Sequence, residues 1–194
     1  GAAEGDSDAD GLGLGNYVHF VYAFSKDFAL SGLRVGVAYS ENPDIRLPLQ
    51  KLNDLCQISS TTQQLVETML TAPCSEQPFW TDHFLAENQS RILERCRLLQ
   101  ATLDDCGVPY LSATAGLFVW MDMRQFLPAS GTKEERERTL YLELLKGHGL
   151  LVTPGLSMRH EHPGFFRCVF TPVNDEEFDL GLQRIRNFVA SKKE

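Results

Sequence analysis

Apolar positions along this chain recur in two rhythms, and the rhythm changes several times. Tyr17 to Phe24 is an unbroken aromatic and β-branched run, too short for a helix, and predicts a strand. Such a run predicts burial on both faces, as in a parallel or mixed sheet covered by helices. Leu33 to Tyr39 predicts a second strand, reached through a tight polar turn. Asn42-Pro43 is a helix start, with Asn as the cap and Pro in the first turn. That helix should reach about Cys56, with Pro48 awkwardly inside it. Hydroxyl residues at Ser59 to Thr62 open a second helix, Ser60 to Ala72.

From about Ser75 to Cys106 the pattern is one long amphipathic helix, with a kink expected near Pro78. Phe84, Leu85, Ile92, Cys96, Leu99 and Leu103 share a stripe, and the charges read as a solvated face. Gly107 and Pro109 stop it. Further on, Gly116 to Met121 predicts a strand and Lys133 to His148 a helix. Leu150 to Thr153 predicts a short strand, Pro154 to Pro163 a loop, and Phe165 to Thr171 another strand. Asn174 caps the last helix, which is acidic in its first turn. The alternation predicts an α/β sheet segment over residues 16–85 and a small α+β domain over 86–194. Residues 1–15 are Gly, Ala and Asp with almost nothing to bury, and read as a disordered lead or loop.

Composition narrows the function classes. At 194 residues, 43% hydrophobic and 23% charged, this is an ordinary globular chain. A net charge of −8 argues against nucleic acid or an anionic membrane as partner, since both need clustered Lys and Arg. No apolar run approaches the ~18 residues of a membrane span. Five scattered cysteines with no CxxC pair read as reduced thiols, which points to a cytoplasmic protein.

The candidate chemistry starts with two lone cations, Lys26 and Arg34, among apolar and small residues around the turn. Solvated surface charge is the ordinary reading of such a pair. The other reading is a site for an aldehyde beside a phosphate, as in pyridoxal 5'-phosphate. A primary amine is required for an imine, and a planar guanidinium suits a phosphate. Ser25, Ser31 and Gly32 allow close backbone approach to an anion. Arg167, in a short apolar strand, reads on its own as an edge-strand arginine paired with a surface acid. His160 and His162 flank Glu161 with Cys168 nearby, but this reads as a solvated loop, and no metal site is assigned. Asp104-Asp105 and Glu134-Glu135 read as helix-surface carboxylates, and Trp80 and Trp120 as core or interface residues.

The run SKDFALSGLRVG after the strand YVHFVYAF resembles the lysine-site signature of class I and II aminotransferase-fold enzymes. The likeness is strongest to 1-aminocyclopropane-1-carboxylate synthases and their synthase-like relatives. Ordered matches continue through ISSTTQQLVETML, AGLFVWMDM, LLVTPG, PGFFRCVF and FDLGLQRIRNFV, covering nearly the whole chain after residue 15.

The resemblance implies the C-terminal part of a fold type I large domain, with a mixed, mostly parallel sheet, plus a small α+β domain. It implies that Lys26 holds pyridoxal 5'-phosphate as a Schiff base and shuttles the substrate α-proton. It implies that Arg34 grips the phosphate, that Ser25 adds a hydroxyl, and that Arg167 clamps the substrate α-carboxylate. It also implies a homodimer, with Ser59 to Thr62 either at the subunit interface or simply capping a helix.

Two departures stand out. Ala23 occupies a position where the signature has Ser or Gly, and losing one hydrogen bond to a dianion costs about 1.5–3 kcal/mol. The family's ring-stacking, ring-nitrogen and substrate-selecting residues precede the lysine strand, so a C-terminal piece is expected. The activities implied are a lyase acting on S-adenosylmethionine, an aminotransferase, or a carbon–sulfur β-lyase. A non-catalytic relative or regulatory domain is the alternative of another class.

Overall fold

A computed structural model describes residues 12–73 and 79–193. The chain divides into two compact units, the first running to Asn88 and the second from Gln89.

In the first unit, β1 (His19–Ala23) pairs antiparallel with β2 (Gly36–Ser40), in the register His19↔Ser40 to Ala23↔Gly36. Between them lie a single helical turn, α1 (Phe24–Asp27), and a 3-10 turn at Ser31–Leu33. The expected burial of the Tyr17 to Phe24 run on both faces is not found. Val18, Phe20 and Val21 are exposed, Val21 by 78%. Composition reports what a strand can pair with, whereas burial depends on neighbours, and among the described residues β1 has only β2. Every strand pairing described is antiparallel, an arrangement that mixed sheets carry at an edge.

Helix α2 (Pro43–Cys56) starts as its sequence predicts. The Asn42 side chain accepts from the Asp44 N–H and Pro43 fills the first turn, while Pro48 is carried inside the helix. Helix α3 (Ser60–Thr71) is capped by Ser59, whose Oγ accepts from the Thr62 N–H. The first unit's core is small: Phe24, Phe28, Val35 and Val66, with Phe84 and Leu85 packed against them. Its rings run Tyr22 to Phe24 at 5.4 Å, Phe24 to Phe28 at 5.2 Å, and Phe28 to Phe84 at 5.9 Å. Such pairs add roughly 0.5–1.5 kcal/mol beyond their area.

Helix α4 (Trp80–Cys106) ends where Gly107 turns left-handed at φ 67°. The Val108 N–H reaches back to Leu103 O and the Gly107 N–H to Asp104 O, closing the last turn. Residues 75–78, which include the expected kink at Pro78, lie outside the described residues.

In the second unit a four-stranded antiparallel sheet has the order β3-β4-β6-β5. Its strands are β3 (Tyr110–Leu111), β4 (Phe118–Asp122), β5 (Thr153–Pro154) and β6 (Phe165–Val169). Strand β3 was not expected from the sequence, since two residues carry no periodicity. Helix α5 (Lys133–Leu142) opens on a reciprocal cap in which Thr132 and Glu135 each bond the other's backbone N–H. It loosens into a π-helical turn at Glu143–Gly147, so the predicted helix to His148 changes character rather than ending early. Helix α6 (Asp175–Ser191) repeats the reciprocal cap with Asn174 and Glu177. One sheet face and the helices bury Leu99, Leu103, Val119, Met121, Leu140, Leu144, Phe166 and Phe188.

Leu103 is completely buried at the centre of this core. Leu103→Ala should destabilise the second unit by about 2–5 kcal/mol, read as a lowered denaturation midpoint in urea.

Candidate functional site

The candidate residues fall in both units, and each group is described within its own. In the first unit Lys26 is the third residue of α1, one turn beyond the end of β1. The turn is tied down at several points. The Phe24 N–H donates to Val35 O at 3.2 Å, and the Ala29 N–H to Lys26 O at 3.2 Å. The Asn88 amide donates to Asp27 O at 3.1 Å. Phe24 and Phe28, on either side of Lys26, point into the core and leave the lysine outward. Lys26 is exposed and its side-chain amine has no hydrogen-bond or ion-pair partner among the described residues, and Ser25 is half-buried.

Arg34 follows the 3-10 turn with a left-handed backbone, φ 57° and ψ 40°. For a residue with a Cβ this conformation costs roughly 1–2 kcal/mol. Its guanidinium donates to Ser31 O at 2.9 Å, which holds the charge over the Ser31–Leu33 turn. At Gly32 an added Cβ would meet nothing within 4 Å, so the turn's surface is open there. Ala23, at the end of β1, offers no side-chain cap to α1.

One feature of this turn escapes the sequence pattern. Tyr22 donates to the carboxylate of Asp27 at 2.7 Å. Desolvation, with the bond to Asp27 and its charge, pushes the Tyr22 phenol up to about 12. The five-residue separation matches no strand or helix period, so only the folded turn makes the pair visible.

In the second unit Arg167 sits at the middle of β6, between Trp120 of β4 and Thr153 of β5. Alternation along the strands gives the sheet two faces. Val119, Met121 and Phe166 enter the core. Phe118, Trp120, Asp122, Thr153, Phe165 and Arg167 share the other face. Arg167 is half-buried, lies over the Phe118 ring at 5.6 Å, and reaches Thr153 Oγ1 at only 3.4 Å. Its Nε is buried with no partner. A surface acid on Arg167, the ordinary alternative, is not found among the described residues.

The rim of this face is fixed by charge and rings. Arg124 grips Asp122 through both carboxylate oxygens, with contacts of 2.6 to 3.1 Å. Bonding to Arg124 holds the Asp122 carboxyl below the usual carboxylate range. Arg124 also covers Phe165 at 4.8 Å. His160 packs at a tilt against Phe165 at 4.4 Å and Trp120 at 5.5 Å, and its Nδ1 accepts from the His162 N–H at 3.2 Å. No group of three or more metal-ligating side chains occurs among the described residues. Asp104 and Glu135 have structural partners, the Tyr110 hydroxyl and the Thr132 N–H.

In the first unit the unpartnered Lys26 amine and a guanidinium over an open turn fit the chemistry of a phosphorylated aldehyde. In the second unit, taken by itself, the orphaned buried donor on Arg167 fits a carboxylate.

The fold is the one found in aminotransferases. The aromatic aminotransferase of Pyrococcus horikoshii matches with a TM-score of 0.73 at 16% identity, over 93% of this chain and 45% of that one. A Thermus thermophilus aspartate aminotransferase double mutant matches at 0.69 and 20%, over 87% and 40%.

The sequence carries the assignment further. Residues 2–185 match the family described as aminotransferase class I and II, and the chain belongs to that family. It is 38% identical over 179 residues to 1-aminocyclopropane-1-carboxylate synthase CMW33 of Cucurbita maxima. It is 35% identical over 178 residues to synthase 11 of Arabidopsis thaliana, and 37% over 188 residues to synthase 4 of rice. These alignments take in 91%, 92% and 95% of this chain but only 35%, 37% and 37% of the relatives, so it spans about a third of their length.

Tyr22 provides a pH test of the first-unit turn. Its folded pKa stands above its ordinary value near 10, so its contribution to stability is complete below about pH 10 and is lost as pH rises towards 12. Tyr22→Phe should remove a phenol that ionises near pH 12 from an ultraviolet titration. It should also flatten the fall in stability between pH 10 and 12.

Proposed function

We propose that this chain is the lysine-bearing portion of a pyridoxal-phosphate-dependent enzyme acting on an amino acid. The observation that carries the reading is the buried, unpartnered Nε of Arg167 on a sheet face it shares with Phe118, Trp120 and Phe165. Burying a donor without an acceptor costs about 1–3 kcal/mol, and a ligand carboxylate removes that cost. The α-carboxylate of an amino acid supplies the acceptor, and a fork-shaped guanidinium binds it with fixed orientation.

In the first unit, Lys26 supplies the primary amine that carries the cofactor. Once free, the same amine takes and returns the proton at the substrate α-carbon. Arg34 binds the cofactor phosphate, with Ser25 contributing a hydroxyl. The strained backbone at Arg34 supports this assignment, because strain of that kind persists where surrounding structure over-determines a residue. Pyridoxal phosphate, when bound, supplies the electron-accepting ring that lowers the barrier to breaking a bond at the α-carbon.

The reaction proposed for the full-length protein is that of its sequence relatives, a lyase step on S-adenosylmethionine forming 1-aminocyclopropane-1-carboxylate. Identity of 35–38% to synthases supports it. Aminotransfer is the second reading, supported by the solved aminotransferases of the same fold. The full-length protein is proposed to be a cytoplasmic homodimer. Exposed leucines of α2, including Leu47, Leu52 and Leu55, are surface that further packing would cover.

Full-length protein should show the visible absorbance of bound cofactor, and Lys26→Ala should abolish it. Retained absorbance in that variant would remove Lys26 from its role. Arg167→Ala should raise KM for the amino acid about 10- to 100-fold, the worth of a charged hydrogen bond. Turnover of S-adenosylmethionine alone, against turnover of an amino acid only with a keto acid, separates the synthase from the aminotransferase.

A further inference from the structure

The second unit buries a carboxylate for which the proposed chemistry has no use. Glu137 of α5 is 2% exposed, and among the described residues no cation pairs with it. Its two oxygens are instead spent on two backbone amides eight residues apart. The Leu156 N–H donates to Oε1 at 3.0 Å, and the Gly164 N–H to Oε2 at 2.8 Å. Those amides stand at the two ends of the segment that leaves β5 and returns into β6.

The segment is tight around these bonds. The Gly155 N–H donates to Phe165 O at 2.7 Å, and the Met123 N–H donates to Gly164 O at 2.8 Å. A Cβ on Gly155 would meet Phe165 O at 2.8 Å, and one on Gly164 would meet Leu127 at 2.9 Å. Both glycines are packed too closely against their neighbours to accept a side chain.

We propose that Glu137 is a positioning residue for Arg167, a reading that rests on Arg167 being the substrate-carboxylate clamp. Strand β5 contributes only Thr153 and Pro154, and its register against Arg167 and Phe166 is too short to hold by itself. Fastening Leu156 and Gly164 to one rigid buried carboxylate fixes where β5 and β6 meet. That junction sets Thr153 beside Arg167, keeps the guanidinium over Phe118, and leaves its Nε free for a ligand. A neutral amide in place of the carboxylate cannot repeat this arrangement, because its NH2 group would face one of the two N–H donors.

The test uses full-length protein with wild-type, Glu137→Gln, Arg167→Ala and the double variant. The substrate is S-adenosylmethionine or the amino acid identified by the assay described above. Glu137→Gln should speed exchange of the Leu156 and Gly164 amide hydrogens about tenfold or more. It should raise KM about tenfold while kcat stays within twofold. In the Arg167→Ala background it should leave KM unchanged, because the clamp it positions is already gone.

Unchanged exchange at both amides, or the same KM increase with and without Arg167, overturns the proposal. If Arg167→Ala alone leaves KM unaltered, the substrate-clamp reading fails first and takes the proposal with it. Should Glu137→Gln not fold, Glu137→Asp, which keeps the charge on a shorter arm, is judged by the same readouts.

Discussion

Register in the antiparallel sheet of the second unit is the constraint on which its chemistry depends. Side chains alternate along a strand, so a slip of one residue would carry Arg167 into the core and Phe166 out of it. Phe166 is wholly buried, as is Val119, so a slip would exchange a buried ring for a guanidinium and is excluded by several kcal/mol. The hydrophobic core therefore does more than stabilise. By claiming Phe166, Val119 and Met121 it dictates that Trp120, Thr153 and Arg167 share the opposite face. A cation held among rings on a fixed sheet face has the pre-organisation that the role proposed for Arg167 requires.

The first unit solves a related problem with less material. Its core is a handful of residues, and Phe24 and Phe28 bracket Lys26 and anchor its turn from inside. The amine is outward because its neighbours at both ends are inward. Arg34 is controlled differently, by a left-handed backbone and a bond to Ser31 O that bends its side chain across the preceding turn. Among the described residues, both cations are thus directed by local geometry and not by partner carboxylates.

Much of this was legible in the sequence where a local signal exists. Asn42-Pro43, Ser59, Gly107 and Asn174 each mark a helix end through backbone chemistry confined to a few residues, and each acts as that chemistry predicts. The lysine-site run was recognisable because its residues are contiguous. What escaped depends on partners distant in sequence. The aromatic run at β1 reads as doubly buried from composition, yet Val21 is open to solvent, because a strand's own residues do not say what lies over them. The segment 154–163 reads as a solvated loop, and nothing in its Gly, His and Pro content reveals that Glu137, far upstream, secures both ends. Glu137 itself is one acid among several in KEERERTLYL, and only burial separates it from its neighbours.

Cys168 adds a consequence of a different kind. It follows Arg167 in β6, is paired with Val119 on the core side, and burial pushes its thiol up to about 12. A thiol that keeps its proton throughout the physiological range is a poor nucleophile, since the thiolate is the reactive form. Among the described cysteines, electrophiles and oxidants should therefore meet exposed Cys56 before the thiol beside Arg167.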